Sequence, residues 1–133
     1  QEADTMQIHQ SAEDYLETIL MLNQRMGRVR SIDVVNELGY TKASVSIAMK
    51  KLRENGYIAV DGEGNLTLLE PGREIAERIY SRHQLLTHFF VQLGVDEETA
   101  AEDACKAEHI LSEQTLEKIR EYALLHDAQD SVK

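Results

Sequence analysis

Residues 31–69 read SIDVVNELGYTKASVSIAMKKLRENGYIAVDGEGNLTLL, and this stretch decides the fold. Ser31 can cap a short helix whose Ile32, Val35 and Leu38 fall at helical spacing, and Gly39 supplies the left-handed position that ends it. Thr41 caps the next helix, where Val45, Ala48, Met49 and Leu52 follow an i, i+3, i+4, i+7 pattern that predicts a core face. Asn55-Gly56 closes that helix. In YIAVDGEGNLTLL, two short apolar runs flank Asp61-Gly62-Glu63-Gly64, which predicts a hairpin with a glycine-bearing turn. Short helix, tight turn, second helix and β-wing make a winged helix-turn-helix.

Upstream, Ser11 is the expected N-cap of a first helix, with Glu13 and Asp14 at its positive end. Its helical stripe runs through Ala12, Leu16, Ile19, Leu20 and Asn23 and loses its pattern near Gly27. Residues 1–10 lack periodicity and are expected to be a flexible arm or a vector-derived remnant. Downstream, Pro71 opens a long fourth helix reaching about Leu93, where Gly94 stops it. Asp96 caps a fifth helix expected to run through His109. Ser112 caps a sixth through about Leu125, with Leu116, Ile119, Tyr122 and Ala123 on one face.

The length of 133 residues fits one domain or two small units, and 42% apolar residues suffice for a core. No apolar run approaches the roughly 20 residues that span a bilayer, and no signal-peptide segment precedes the first helix. A single cysteine excludes an internal disulfide framework and fits a reducing cytoplasm. The formal charge of −10 argues against nucleic acid only until it is divided along the chain. Arg25 to Arg53 holds seven basic residues against two acidic ones, a net of +5, and the remainder carries −15. A basic segment inside an acidic body suits a DNA reader joined to a cation-binding part.

In a helix-turn-helix the second helix enters the major groove. With Val45, Ala48, Met49 and Leu52 inward, its outer face offers Ala43, Ile47, Lys50 and Lys51, flanked by Ser44 and Ser46, with Thr41 and Lys42 at its start. Small residues permit close approach, hydroxyls reach phosphates or base edges, and Ile47 suits a thymine methyl. Lys50, Lys51, Arg28 and Arg30 are placed for phosphates. The strongest base readers, outward Arg and Gln, are absent, so methyl contacts, DNA shape and dimer spacing carry the specificity. The competing reading is a packing motif whose lysines only complement the helix dipole.

Three further segments carry ligand-type side chains. Cys105, Glu108 and His109 stand at i, i+3 and i+4 in EDACKAEHILS, on one face of a helix. Asp14 and Glu17 lie about 60° apart on the first helix, and His83 lies on the fourth. Three carboxylates, two imidazoles and one thiol suit a divalent transition metal. Each also has a plain structural explanation: a half-buried histidine, acids at a helix N-terminus, a small core cysteine. Spacing alone leaves the two readings level.

Taken together, SAEDYLETILML, SVSIAMKKLRENGYI, the wing ending LTLLEPG, RHQLL and AEHILS resemble the diphtheria toxin repressor family of metal-dependent regulators, most nearly its manganese transport regulator branch. The resemblance covers roughly residues 11–125. It implies a binuclear metal site built from Asp14, Glu17, His83, Cys105, Glu108 and His109. Cys105 departs from the manganese branch, which has glutamate there, and matches the iron-sensing branch. Asp14 and Glu17 depart from the iron branch, which has methionine and a basic residue at those positions. Thr87 and Ala101 replace the glutamate and histidine of the iron branch's ancillary site, which is therefore not carried over intact. That branch's C-terminal SH3-like domain is not expected either, since the sequence stops after the sixth helix.

The resemblance implies a mainly α protein: an N-terminal winged helix-turn-helix DNA-binding domain over 11–70, then an α-helical dimerisation and metal-binding domain over 71–133. The expected function is a cytoplasmic, homodimeric repressor of metal-ion uptake and homeostasis, activated by Mn²⁺, or by Fe²⁺, on a palindromic double-stranded operator. Hard carboxylates suit Mn²⁺, whereas the thiolate moves preference toward Fe²⁺, Co²⁺ or Zn²⁺, and Cd²⁺ can substitute. A thiolate bridges through one sulfur where a glutamate uses two oxygens, so the count of one or two ions stays open. No membrane association, organic cofactor or enzymatic activity is expected. The alternatives are a zinc- or cobalt-responsive relative, a winged-helix regulator of a non-metal ligand, and a small metallohydrolase, for which substrate-binding motifs are missing.

Overall fold

The computed structural model describes the backbone of residues 2–132 and the side chains of residues 10–129. The elements in chain order are α1 (Glu2–Met26), α2 (Ser31–Leu38), α3 (Lys42–Glu54), β1 (Ile58–Val60), β2 (Leu66–Leu68), α4 (Glu70–Gln92), α5 (Glu97–Ala107) and α6 (Glu113–Val132). They divide into two compact units, residues 1–78 and 79–133, with α4 contributing to both.

In the first unit α1, α2 and α3 pack with a two-stranded antiparallel sheet in which Ile58 faces Leu68 and Val60 faces Leu66. Leu16, Ile19, Val29, Val34, Val45 and Ile58 are buried at its centre. Each contributes about 1.5–3 kcal/mol relative to exposure. The caps follow local chemistry. Thr41 Oγ1 accepts the Ser44 N–H at 3.1 Å, and Gly39 adopts φ 70° to close α2. At the wing turn Asp61 Oδ1 accepts the N–H groups of Glu63 and Asn65, each at 2.9 Å. Gly72 sits where the first turn of α4 meets the sheet backbone. A Cβ there would come within 2.2 Å of the Tyr57 carbonyl oxygen, so only glycine fits.

The second unit has a core of Leu86, Ala104 and Leu116, with Leu85, Phe90, Leu111 and Ile119 packed against it. Asp96 Oδ2 caps α5 by accepting the Thr99 N–H at 3.1 Å, and Ser112 Oγ caps α6 by accepting the Thr115 N–H at 3.2 Å. The Thr99 N–H and then the Thr99 hydroxyl, both donating to Asp96, hold its carboxyl below its ordinary pKa.

Five local expectations are corrected. Helix α1 begins at Glu2 instead of at a Ser11 cap, because nothing between Glu2 and Ser11 is a Gly or Pro that would stop it. The arm assigned to residues 1–10 falls almost wholly on side chains outside those described. Arg30, not Ser31, is the N-cap of α2, its backbone N–H donating to Asp33 Oδ2 at 2.9 Å. On α2 the fully buried residue is Val34, while Ile32 is exposed, since two turns of helix take their inward face from their neighbours. Tyr122 is exposed at the margin of the α6 stripe, its ring meeting Phe89 edge-on at 5.8 Å. Helix α5 ends at Ala107, so Glu108 is its C-cap and His109 lies in the following turn.

Candidate metal centre and nucleic-acid interface

The second unit builds a site around Glu108. Its side chain is completely buried, and Oε2 lies 2.9 Å from His83 Nδ1 on α4. The other oxygen, Oε1, lies 3.4 Å from Nε2 of His109, whose side chain is 1% exposed. One carboxylate thus meets an imidazole on each side. His83, Cys105 and Glu108 each offer a ligand atom, and the three atoms lie within 4.8 Å of one another. Imidazole nitrogen, thiol sulfur and carboxylate oxygen fit a divalent transition ion of borderline softness. A buried carboxylate between two imidazoles is costly to build for packing alone, which favours a functional reading.

The helical spacing of Cys105, Glu108 and His109 survives the end of α5, because Glu108 keeps helical dihedrals and its N–H bonds to Ala104 O at 2.9 Å. Their environments nevertheless differ: Cys105 is exposed on the last turn of α5, whereas Glu108 and the His109 side chain are buried. In the first unit, Asp14 is half-buried and Glu17 buried on α1. Glu17 is an uncommon residue for a helix interior face and stands among Leu16, Thr18 and Ile19.

Sequence reasoning gave no role to Arg82, which precedes His83. Its Nη1 donates to the Glu108 carbonyl oxygen at 3.1 Å, and Nη2 pairs with Glu113. An arginine beside a ligand histidine was the available signal, but its partners lie 26 and 31 residues away.

All ten residues expected at the DNA face are exposed: Arg28, Arg30, Thr41, Lys42, Ala43, Ser44, Ser46, Ile47, Lys50 and Lys51. Ile47 stands 58% exposed on this face, open to an outside contact. Some of these groups have structural duties. Thr41 donates its hydroxyl proton to Ser44 Oγ at 2.9 Å, leaving the Ser44 proton for an outside acceptor. Arg28 is 3.9 Å from Glu63, and the Arg30 guanidinium lies against Gly64 in the wing turn. Arg25 is paired with Glu37 on α2. The least committed cations on this face are therefore Lys42, Lys50 and Lys51.

Comparison with known proteins agrees with both halves. Residues 7–66 match the family described as iron dependent repressor, N-terminal DNA binding domain, and residues 69–125 match its metal binding and dimerisation domain. A helix-turn-helix-type transcriptional regulator of Methanocaldococcus jannaschii is 37% identical over 84% of this chain and 90% of its own length. The transcriptional regulator MntR of Bacillus subtilis is 32% identical over 92% of this chain and 87% of its own. Among solved structures, a manganese-dependent transcriptional repressor in complex with manganese superposes with a TM-score of 0.77 at 27% identity, over 84% of this chain and 52% of that one. The chain thus spans about half the length of that solved protein. T. acidophilum IdeR shares the fold, with a TM-score of 0.76 at 23% identity over 83% of this chain and 52% of that one. The chain belongs to the iron-dependent repressor family, the diphtheria toxin repressor family of metal-dependent transcriptional regulators.

Proposed function

We propose that this protein is a cytoplasmic, homodimeric repressor that binds a palindromic operator when loaded with Mn²⁺, or with Fe²⁺, and thereby controls metal-ion uptake. The observation that carries the reading is the group His83, Cys105 and Glu108, with ligand atoms within 4.8 Å, in a chain that also presents an exposed basic helix. His83, Cys105, Glu108 and His109 would hold the ion, joined by Asp14 and Glu17 on the chemistry of their carboxylates. A bound divalent ion supplies positive charge to a site rich in buried anionic oxygen.

The domain division proposed is 11–70 for DNA and 71–133 for dimerisation and metal. Leu93, Ile110, Leu124 and Leu125 are all exposed in the second unit, which suits burial against a second copy. No described helix is long and apolar enough to cross a membrane. A regulator of this kind has no need of catalysis, and the reading is of a non-enzyme without organic cofactor. Linkage requires that metal which tightens DNA binding is itself bound more tightly by the DNA complex.

Operator binding by gel shift, with Mn²⁺ and with EDTA, is the test. Metal should strengthen binding, and equal affinity in both conditions would sink the proposal. A zinc- or cobalt-responsive variant of the same function is favoured by one observation, the thiol of Cys105 among the ligand atoms. The same experiment run across Zn²⁺, Co²⁺ and Cd²⁺ separates it. The non-metal alternative has its own support in a groove of about 970 Å³ in the first unit, lined by Leu16, Tyr57 and Ile75. A regulator using that groove would ignore the chelator.

A further inference from the structure

Arg82 and His83 are consecutive on α4 and hold the same residue from two sides. His83 Nδ1 lies 2.9 Å from the Glu108 carboxylate, and Arg82 Nη1 donates to the Glu108 main-chain carbonyl at 3.1 Å. Carbonyls of a final helical turn have no intrahelical partner, and Glu108 is the C-cap of α5. A guanidinium there meets both a hydrogen-bond acceptor and the negative end of the helix dipole. The other arm of Arg82 pairs with Glu113, the first residue of α6. One cation therefore spans the turn between α5 and α6, gripping it at residue 108 and again at residue 113. The Arg82 side chain is only 15% exposed, so solvent weakens its bond to the Glu108 carbonyl little, whereas the Glu113 carboxylate is 77% exposed and its pairing is the weaker of the two.

We propose that Arg82 is the positioning residue of the metal centre. It fixes the 108–112 turn so that the Glu108 carboxylate and the His109 imidazole stand oriented before an ion arrives. The proposal rests on the metal-centre reading above. Ligand atoms must be held within about 0.5 Å for tight coordination, and Glu108 is the C-cap of α5: its N–H is still bonded to Ala104 O, but its carbonyl oxygen takes the Arg82 guanidinium. Loss of a supporting contact of this kind costs about ten- to a hundredfold in metal affinity.

The test is Co²⁺ titration of the full chain, followed by visible absorption, in wild type, R82Q, R82K, E113Q and E108Q. In R82Q, Co²⁺ affinity should fall by about ten- to a hundredfold and the ligand-field bands should shift. R82K keeps one donor and should recover part of both. E113Q leaves the Glu108 carbonyl contact in place and should cost less than R82Q. Amide hydrogen exchange over residues 108–113 of the metal-free protein reads the grip on the turn directly, and it should be faster in R82Q. Should R82Q fail to fold, R82K and E113Q carry the comparison in the same order. A Co²⁺ response that E108Q abolishes and R82Q leaves intact overturns the proposal alone, as does unchanged exchange at 108–113. Equal Co²⁺ binding by wild type and E108Q would bring down the metal-centre reading and the positioning role together.

Discussion

Glu108 Oε2 and His83 Nδ1 stand 2.9 Å apart with the carboxylate fully buried, joining a helix terminus to the middle of α4 across 25 residues of sequence. Replacing either partner removes a ligand atom and leaves the other polar group buried with one contact fewer. Glu108→Gln keeps the shape and loses the charge. Its affinity for Mn²⁺ should fall by more than about tenfold, which is 1.4 kcal/mol or more. Calorimetric titration of the purified variant checks this, and unchanged affinity would remove Glu108 from the ligand set.

Cys105 should select the metal. It is exposed on α5, yet its sulfur falls within the ligand cluster with His83 and Glu108. A thiolate favours softer ions, so Cys105→Glu should shift activation toward Mn²⁺ relative to Fe²⁺ or Co²⁺. Co²⁺-loaded wild type should show a near-ultraviolet sulfur-to-cobalt charge-transfer band. Absence of that band, with an unaltered activation series in Cys105→Ala, would falsify the assignment.

Lys50 and Lys51 lie exposed on the outer face of α3 and have no hydrogen bond or ion pair to an acid through their side chains among the described contacts. Each should neutralise one phosphate. Lys50→Ala and Lys51→Ala should each lower the salt slope of operator binding by about one per half-site, while weakening all sequences alike. Fluorescence anisotropy over a salt series measures it. Ile47→Ala should act differently, reducing discrimination for thymine-containing sites with little change in slope.

The α5 cap should make stability pH-dependent in acid. The Thr99 backbone N–H and then its hydroxyl lower the Asp96 pKa in the folded chain. A depressed folded pKa gives stability that is complete above the unfolded value, about 3.9. It is lost as pH falls through the folded pKa. Urea denaturation of wild type and Asp96→Ala should therefore differ at pH 7 and converge toward pH 2. A difference that persists undiminished in acid would assign the effect to packing instead of to the charged cap.

The features legible in sequence were those decided by local chemistry. Thr41, Asp96 and Ser112 cap the helices they were expected to cap, because a short oxygen-bearing side chain before a helix has few other uses. The apolar spacing of Val45, Met49 and Leu52 likewise fixed the inward side of α3. Features decided by distant partners were hidden. Val34 is buried in preference to Ile32 because of what packs on α2, and nothing in eight residues distinguishes them. At the metal centre the residue types and spacing were readable, but the burial contrast between Cys105 and Glu108 was not. Arg82 escaped notice because both groups it binds arrive from more than 25 residues away.

The wing carries one consequence for how the protein sits on its operator. Residues 57–69 contain Asp61 and Glu63 and no lysine or arginine, and the Arg28 guanidinium nearest to Glu63 already faces it at 3.9 Å. The Arg30 guanidinium lies against Gly64 in the same turn, so the two acids at the tip are matched by two arginines. A phosphate that is to take Arg28 must therefore compete with Glu63 for it, and the wing acids temper the grip of this edge on DNA. Glu63→Gln should strengthen operator binding at low salt, and anisotropy titrations that show no change would separate Arg28 from the phosphate contacts.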